Sequence, residues 1–162
     1  GAPPSSLDGL TETTVRGVGA HTTHVLGVGE AQPVACAGCH LVPSAVLAAG
    51  HFDDALPAEV TFGGLAATAG ALPIWDGETC AEVYCHGVTL GGGTIKVPAW
   101  TTVDGTQRAC GVACHGVPPP SHEVYPPWTC DECHATASGL GSIQKPCLHI
   151  NGMLDGRDAE CP

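Results

Sequence analysis

The chain has 162 residues, with 23 Gly, 14 Pro and 10 Cys, and its aromatic fraction is only 4%. A hydrophobic fraction of 43%, much of it Ala and Val, gives a thin core that needs cross-links or another source of buried apolar surface. A net charge of −11, with no basic cluster and no apolar run of membrane-spanning length, argues against nucleic acid and anionic membrane surfaces as partners and against a membrane span.

The chain opens on GAPPSS, without Met and with no Cys at position 1. The expectation is an exported chain whose signal has been removed and which carries no N-terminal lipid. GAHTTH follows, with His21 and His24, and then CAGCH at 36–40. Ser44 to Gly50 reads as a short helix with Ser44 as N-cap and Gly50 as its stop, and His51 comes next. Residues 58–62 (AEVTF) and 94–97 (TIKV) read as short strands that could pair. Between and after them lie CAEVYCH at 80–86, CGVACH at 110–115, His122, CDECH at 130–134, and the pair Cys147 and Cys161 around His149.

The gap between cysteines in these motifs varies, but the terminal Cys-His step does not. Chance predicts about 0.6 such dipeptides for this composition, and there are four. A disulfide framework accounts for cysteines but not for the histidines behind them. Zinc could use both, yet a His abutting the second Cys is awkward for one tetrahedral ion, and the wide gap in CAEVYCH makes a poor knuckle. Covalent haem attachment accounts for the whole pattern. Two thiols add across two vinyl groups, and the adjacent His ligates the iron. The thioether residues are then Cys36 and Cys39, Cys80 and Cys85, Cys110 and Cys114, and Cys130 and Cys133. The attachment-side ligands are His40, His86, His115 and His134, so the expected cofactor is haem c, four per chain.

TCAEVYCHG, followed by VPAW and CGVACHGVPPPSH, resembles the Geobacter-type CxxxxCH/CxxCH multihaem cytochrome domain over about residues 78–122, and the flanks GAHTTH and LHINGMLDG also look like it. The chain departs from that pattern in one place: its second site is CxxxCH. A haem held by Cys114 alone, with Cys110 unused, therefore stays open.

Five histidines remain for four opposite faces: His21, His24, His51, His122 and His149. This count makes every iron bis-His and leaves one ring over, either His21 or His24. Met153 is read as packing. A weak internal repeat of residues 21–60 and 122–156, in which His24 matches His122 and His51 matches His149, flanks a central segment 78–116. That segment lacks spare histidines, so its two haems draw distal ligands from the outer units. Cys147 and Cys161 are expected to form a disulfide that pins the C-terminal tail and His149; the alternative is two free thiols.

The expected fold is a single domain over 1–162, mostly coil with few short helices and strands, wrapped around a closely packed haem array. Trp75, Trp100 and Trp128 are expected to pack on porphyrin edges, with electron relay as the sharper alternative. The expected function is electron transfer by a non-enzymatic, exported protein. Its leading form is the subunit of an extracellular or cell-surface cytochrome filament, polymerising with itself and lending one histidine of HTTH to a haem of the next copy. A soluble periplasmic shuttle that docks on redox proteins is the alternative, and a multihaem reductase a third. No CxxCK motif favours the reductase.

Overall fold

Gly and Pro interrupt nearly every stretch long enough to become a regular element, and the backbone follows suit. The computed structural model describes residues 5–51, 53, 58–120, 122–123, 129–138, 142–153 and 155–161; Trp128 and the Pro-rich residues 1–4 lie outside these. Most of the described backbone is turn and coil. Among the described residues there is one α-helix, α1 (His21–Leu26), which ends where Gly27 takes φ 67°. At fewer than two turns it is shorter than an isolated helix can sustain, so contacts made by its side chains must hold it.

Among the described residues there are also two small antiparallel sheets. In the first, β1 (Ile74–Trp75) pairs with β2 (Cys80–Ala81), with Trp75 opposite Cys80. The Asp76 carboxylate closes their turn, accepting the N–H groups of Glu78 (2.8 Å) and Thr79 (2.6 Å) and the Thr79 hydroxyl (2.7 Å). In the second sheet β3 (Ala137–Ser138) pairs with β4 (Ser142–Ile143). Short 3₁₀ turns at Cys36–Gly38, Tyr84–His86 and Cys130–Glu132 fall on three of the four Cys-His motifs.

The three elements expected from the sequence are absent. Residues 44–50 form bends and turns with an Ala48 N–H to Ala45 carbonyl bond (3.0 Å). Val46 and Leu47 stay exposed there, so no burial supports a helix. Residues 58–62 are coil, because their polar groups serve the first Cys-His motif: Thr61 N–H donates to the Cys39 carbonyl at 2.9 Å. Residues 94–97 are bends and coil and do not pair with 58–62. Thr94 and Ile95 donate instead to the carbonyls of Val112 (2.8 Å) and Ala113 (2.9 Å), beside the third motif.

Among the described residues the buried hydrophobic side chains are Val18, Ala66, Ala71, Val83, Ala113 and Leu148, and none is aromatic. Met153 is 71% exposed, so it is not a packing residue. Cys147 and Cys161 form a disulfide. Among the described residues no helix is long and apolar enough to cross a membrane.

Candidate functional site

In both CxxCH motifs the His N–H closes a turn onto the carbonyl of the first cysteine: His40 to Cys36 and His134 to Cys130, each at 2.9 Å. The turn puts the first Cys and the His on one side of the backbone. The wide motif absorbs its extra length differently. Cys80 starts in β2, Glu82 takes φ 53° and stays exposed, Val83 turns inward, and Cys85 and His86 sit in a 3₁₀ turn.

Each of these four histidines faces a second imidazole. His40 faces His21 and His86 faces His24, both with ring centroids 6.1 Å apart. His115 faces His149 at 6.2 Å, and His134 faces His122 at 5.8 Å. An imidazole extends about 1.1 Å from centroid to nitrogen and a metal–imidazole bond is about 2 Å, so two rings on opposite sides of one iron have centroids about 6.2 Å apart. The donor set fits one iron between each pair.

Tautomers support the same geometry. His21 Nδ1 lies 2.9 Å from the Val18 carbonyl, His24 Nδ1 2.9 Å from Ala20, and His40 Nδ1 2.8 Å from Glu59. His115 meets Gly116 at 2.7 Å, His134 meets Asp155 at 3.2 Å, and His149 meets Glu30 at 2.6 Å. A carbonyl can only accept, so Nδ1 carries the proton and Nε2 keeps its lone pair for a metal. His51 is exposed and donates in the same way to Val46, at 2.7 Å. The structure thus brings His21, His24, His122 and His149 to the four motifs. Both rings of HTTH lie in pairs within the chain. In the outer units the ring facing the local CxxCH is His21 or His122, while His24 and His149 face the two central motifs.

Burial sets the electrostatics. It lowers His86 to about 4, with the neighbouring His24 ring adding to the effect. It also lowers His149, against the opposing pull of the Glu30 carbonyl, and His21. Burial raises the thiols of Cys80 and Cys85 to about 11, with Cys39 nearby contributing to both, and raises Cys39 and Cys114. A nucleophilic cysteine needs its pKa lowered, so these are not poised catalytic thiolates. His24, His86, Cys39, Cys80 and Cys85 line one cavity, walled by Val34, Phe62, Ala66, Val83 and Trp100. Among the described residues no three His, Cys, Asp or Glu side chains gather to hold a metal ion alone.

The sites follow one another in space. His21 and His24 share α1, which joins the first to the second. Gly87, just behind His86, lies so close to Cys114 that a Cβ would overlap its carbonyl, which joins the second to the third. The segment carrying His149 continues to Asp155, which accepts from His134 and so joins the third to the fourth.

Sequence reasoning did not find the role of Trp100. Its ring meets His21 edge-on at 4.8 Å and stacks on His24 at 5.7 Å. Nor did it find the carbonyl acceptors, which are backbone groups and leave no residue-type signal. No protein-family model, no curated protein and no solved structure matches the chain.

Proposed function

We propose that the chain is a tetrahaem c-type cytochrome that transfers electrons. The observation that carries this reading is the set of four imidazole pairs, 5.8 to 6.2 Å between centroids, each with one member directly behind a cysteine. When bound, four haem c groups supply reversible one-electron chemistry at iron. The cysteine pairs would hold them covalently, which would prevent loss outside the cell.

The paired imidazoles would hold each iron between them and would leave no place for a substrate, which counts against a reductase. The Nδ1–H bonds to carbonyls made by His21, His24, His40, His115, His134 and His149 would strengthen donation from Nε2 and favour the more highly charged oxidised state. The net charge of −11 acts in the same direction. Val83, Ala66 and Phe62 line the same cavity as His86 and make its wall apolar. The succession of four sites along the chain gives electrons a route from one end to the other, with other redox proteins or extracellular acceptors as partners. The thin core supports a fold wrapped around its prosthetic groups as a single domain.

The proposed working form is the subunit of an extracellular filament built from copies of this chain. A soluble periplasmic shuttle is the second reading, and the closure of all four pairs within one chain favours it. Intact mass after denaturation tests the cofactor: four haem masses are expected, and none overturns the reading. Negative-stain microscopy of the native protein separates filament from shuttle.

A further inference from the structure

We propose that Trp100 is a positioning residue that sets the ring planes of two distal imidazoles at once, His21 in the first site and His24 in the second; this rests on the haem reading above. The indole is itself held firmly. Its Nε1–H donates to the Arg16 carbonyl at 2.8 Å, its backbone N–H to the Glu78 carbonyl at 2.8 Å, and Trp75 packs edge-on against it at 6.2 Å. Gln107 clamps the preceding residue, accepting from Ala99 N–H (2.7 Å) and donating to its carbonyl (2.8 Å). Gly19 lies directly beneath the indole, where a Cβ would overlap Nε1. Any larger residue there would push the indole away from α1.

From that fixed plane the two histidines take opposite attitudes. His21 stands at 89° to the indole and His24 at 30°. Both contacts lie within the range of about 4.5 to 7 Å at which aromatic rings attract. His21 thereby comes to 26° from its partner His40, close to coplanar, and His24 to 77° from His86, close to perpendicular. One rigid side chain thus gives two neighbouring sites different axial geometries.

The difference matters because an axial imidazole donates π density along one direction only. Two coplanar rings act on the same iron d orbital and split it from its partner. Two crossed rings act on both orbitals alike and leave them nearly degenerate. Axial ligands are a main lever on the electronic state of haem iron. A ferric site with near-parallel rings gives a resolved rhombic resonance, and one with crossed rings a broad signal at large maximum g. Trp100 therefore makes the first two sites electronically unequal.

The test is low-temperature electron paramagnetic resonance of the oxidised holoprotein, with haem counted by mass, on the parent, Trp100→Phe and Trp100→Leu. The parent is expected to show one clearly rhombic component, from the His21/His40 site, beside broader ones. In Trp100→Leu that component and one broad component should shift, while the other two keep their parent g values. Trp100→Phe retains the ring contacts but not the bond to Arg16, so a smaller shift of the same two components is expected. Parent spectra from both variants, or equal shifts in all four components, overturn the proposal. If Trp100→Leu does not fold, Trp100→Phe decides alone. A parent without four haem masses overturns the haem reading and this proposal together, whereas four haems with indifferent Trp100 variants overturn this proposal alone.

Discussion

His149 and Glu30 are 119 positions apart in sequence, yet the imidazole Nδ1–H of the first donates to the backbone carbonyl of the second at 2.6 Å. Through this bond the C-terminal segment is laid across the N-terminal loop, and the ring that faces His115 is aimed by a residue from the far end of the chain. Arg108, just before the third motif, reaches the Glu30 carboxylate at 3.6 Å from the other side. The third site is thus assembled from three distant segments, so what anchors the C-terminal one should matter.

The disulfide between Cys147 and Cys161 is that anchor, helped by Lys145, whose ammonium donates to the Ala159 carbonyl at 3.0 Å. Replacing both cysteines by Ser is expected to cost about 3 kcal/mol, the chain-entropy value for a loop of this size, read from denaturant midpoints. In the unreduced, denatured parent neither thiol should react with an alkylating reagent.

On the proposed reading, removing a distal imidazole should open one iron and only one. His21→Ala and His24→Ala are each expected to give one high-spin component in four, within a chain that still folds, and to let one equivalent of carbon monoxide bind after reduction. A spectrum that stays wholly low-spin in both variants would show that these rings are not ligands.

Gly87 adopts φ 76°, and a Cβ there would overlap the Cys114 carbonyl. Gly87→Ala is therefore expected to destabilise by about 2 kcal/mol or more, from the positive φ and from forcing the second and third motifs apart. Thermal unfolding measures the first effect. Slower electron exchange between the two sites after a light-triggered injection measures the second.

The Asp76 carboxylate is held below its ordinary value, chiefly by the Thr79 hydroxyl and the N–H groups of Thr79 and Glu78. The folded chain keeps this charge to lower pH than the unfolded chain does. Its contribution is therefore fully present above the ordinary carboxylate range and is lost as pH falls through the folded value. Asp76→Asn should narrow the difference in stability between about pH 5 and about pH 2, as followed by urea midpoints. An unchanged difference would mean that the turn draws nothing from the charge.

The Cys-His motifs were legible because their pattern is local: the last step from Cys to His recurs whatever loop precedes it. The coarse fold was legible for a similar reason, since 23 Gly and 14 Pro leave little room for long elements. The facing of His115 by His149 was not legible residue by residue, because it depends on the Glu30 carbonyl, which any residue type could supply. Nor was α1 visible, because Thr22, Thr23 and Val25 are poor helix formers and the helix owes its existence to Trp100 and the His rings. The expected helix at 44–50 erred the other way. Its composition was favourable, but Val46 and Leu47 have nothing to pack against. Short apolar runs predict an element only when something covers them.

The thinness of the core also bears on the order of events in biogenesis. Six small or medium aliphatic side chains buried among the described residues cannot by themselves repay the entropy of ordering a chain of this length. On the proposed reading, the polypeptide emerging from export is open coil, and a protease meets it before any fold does. Haem must then be attached to a chain with no tertiary structure to guide the enzyme that attaches it. An address readable under those conditions has to be contiguous, which is what a cysteine followed at once by a histidine provides. Cells starved of haem should therefore accumulate fragments of this protein rather than an intact apo form.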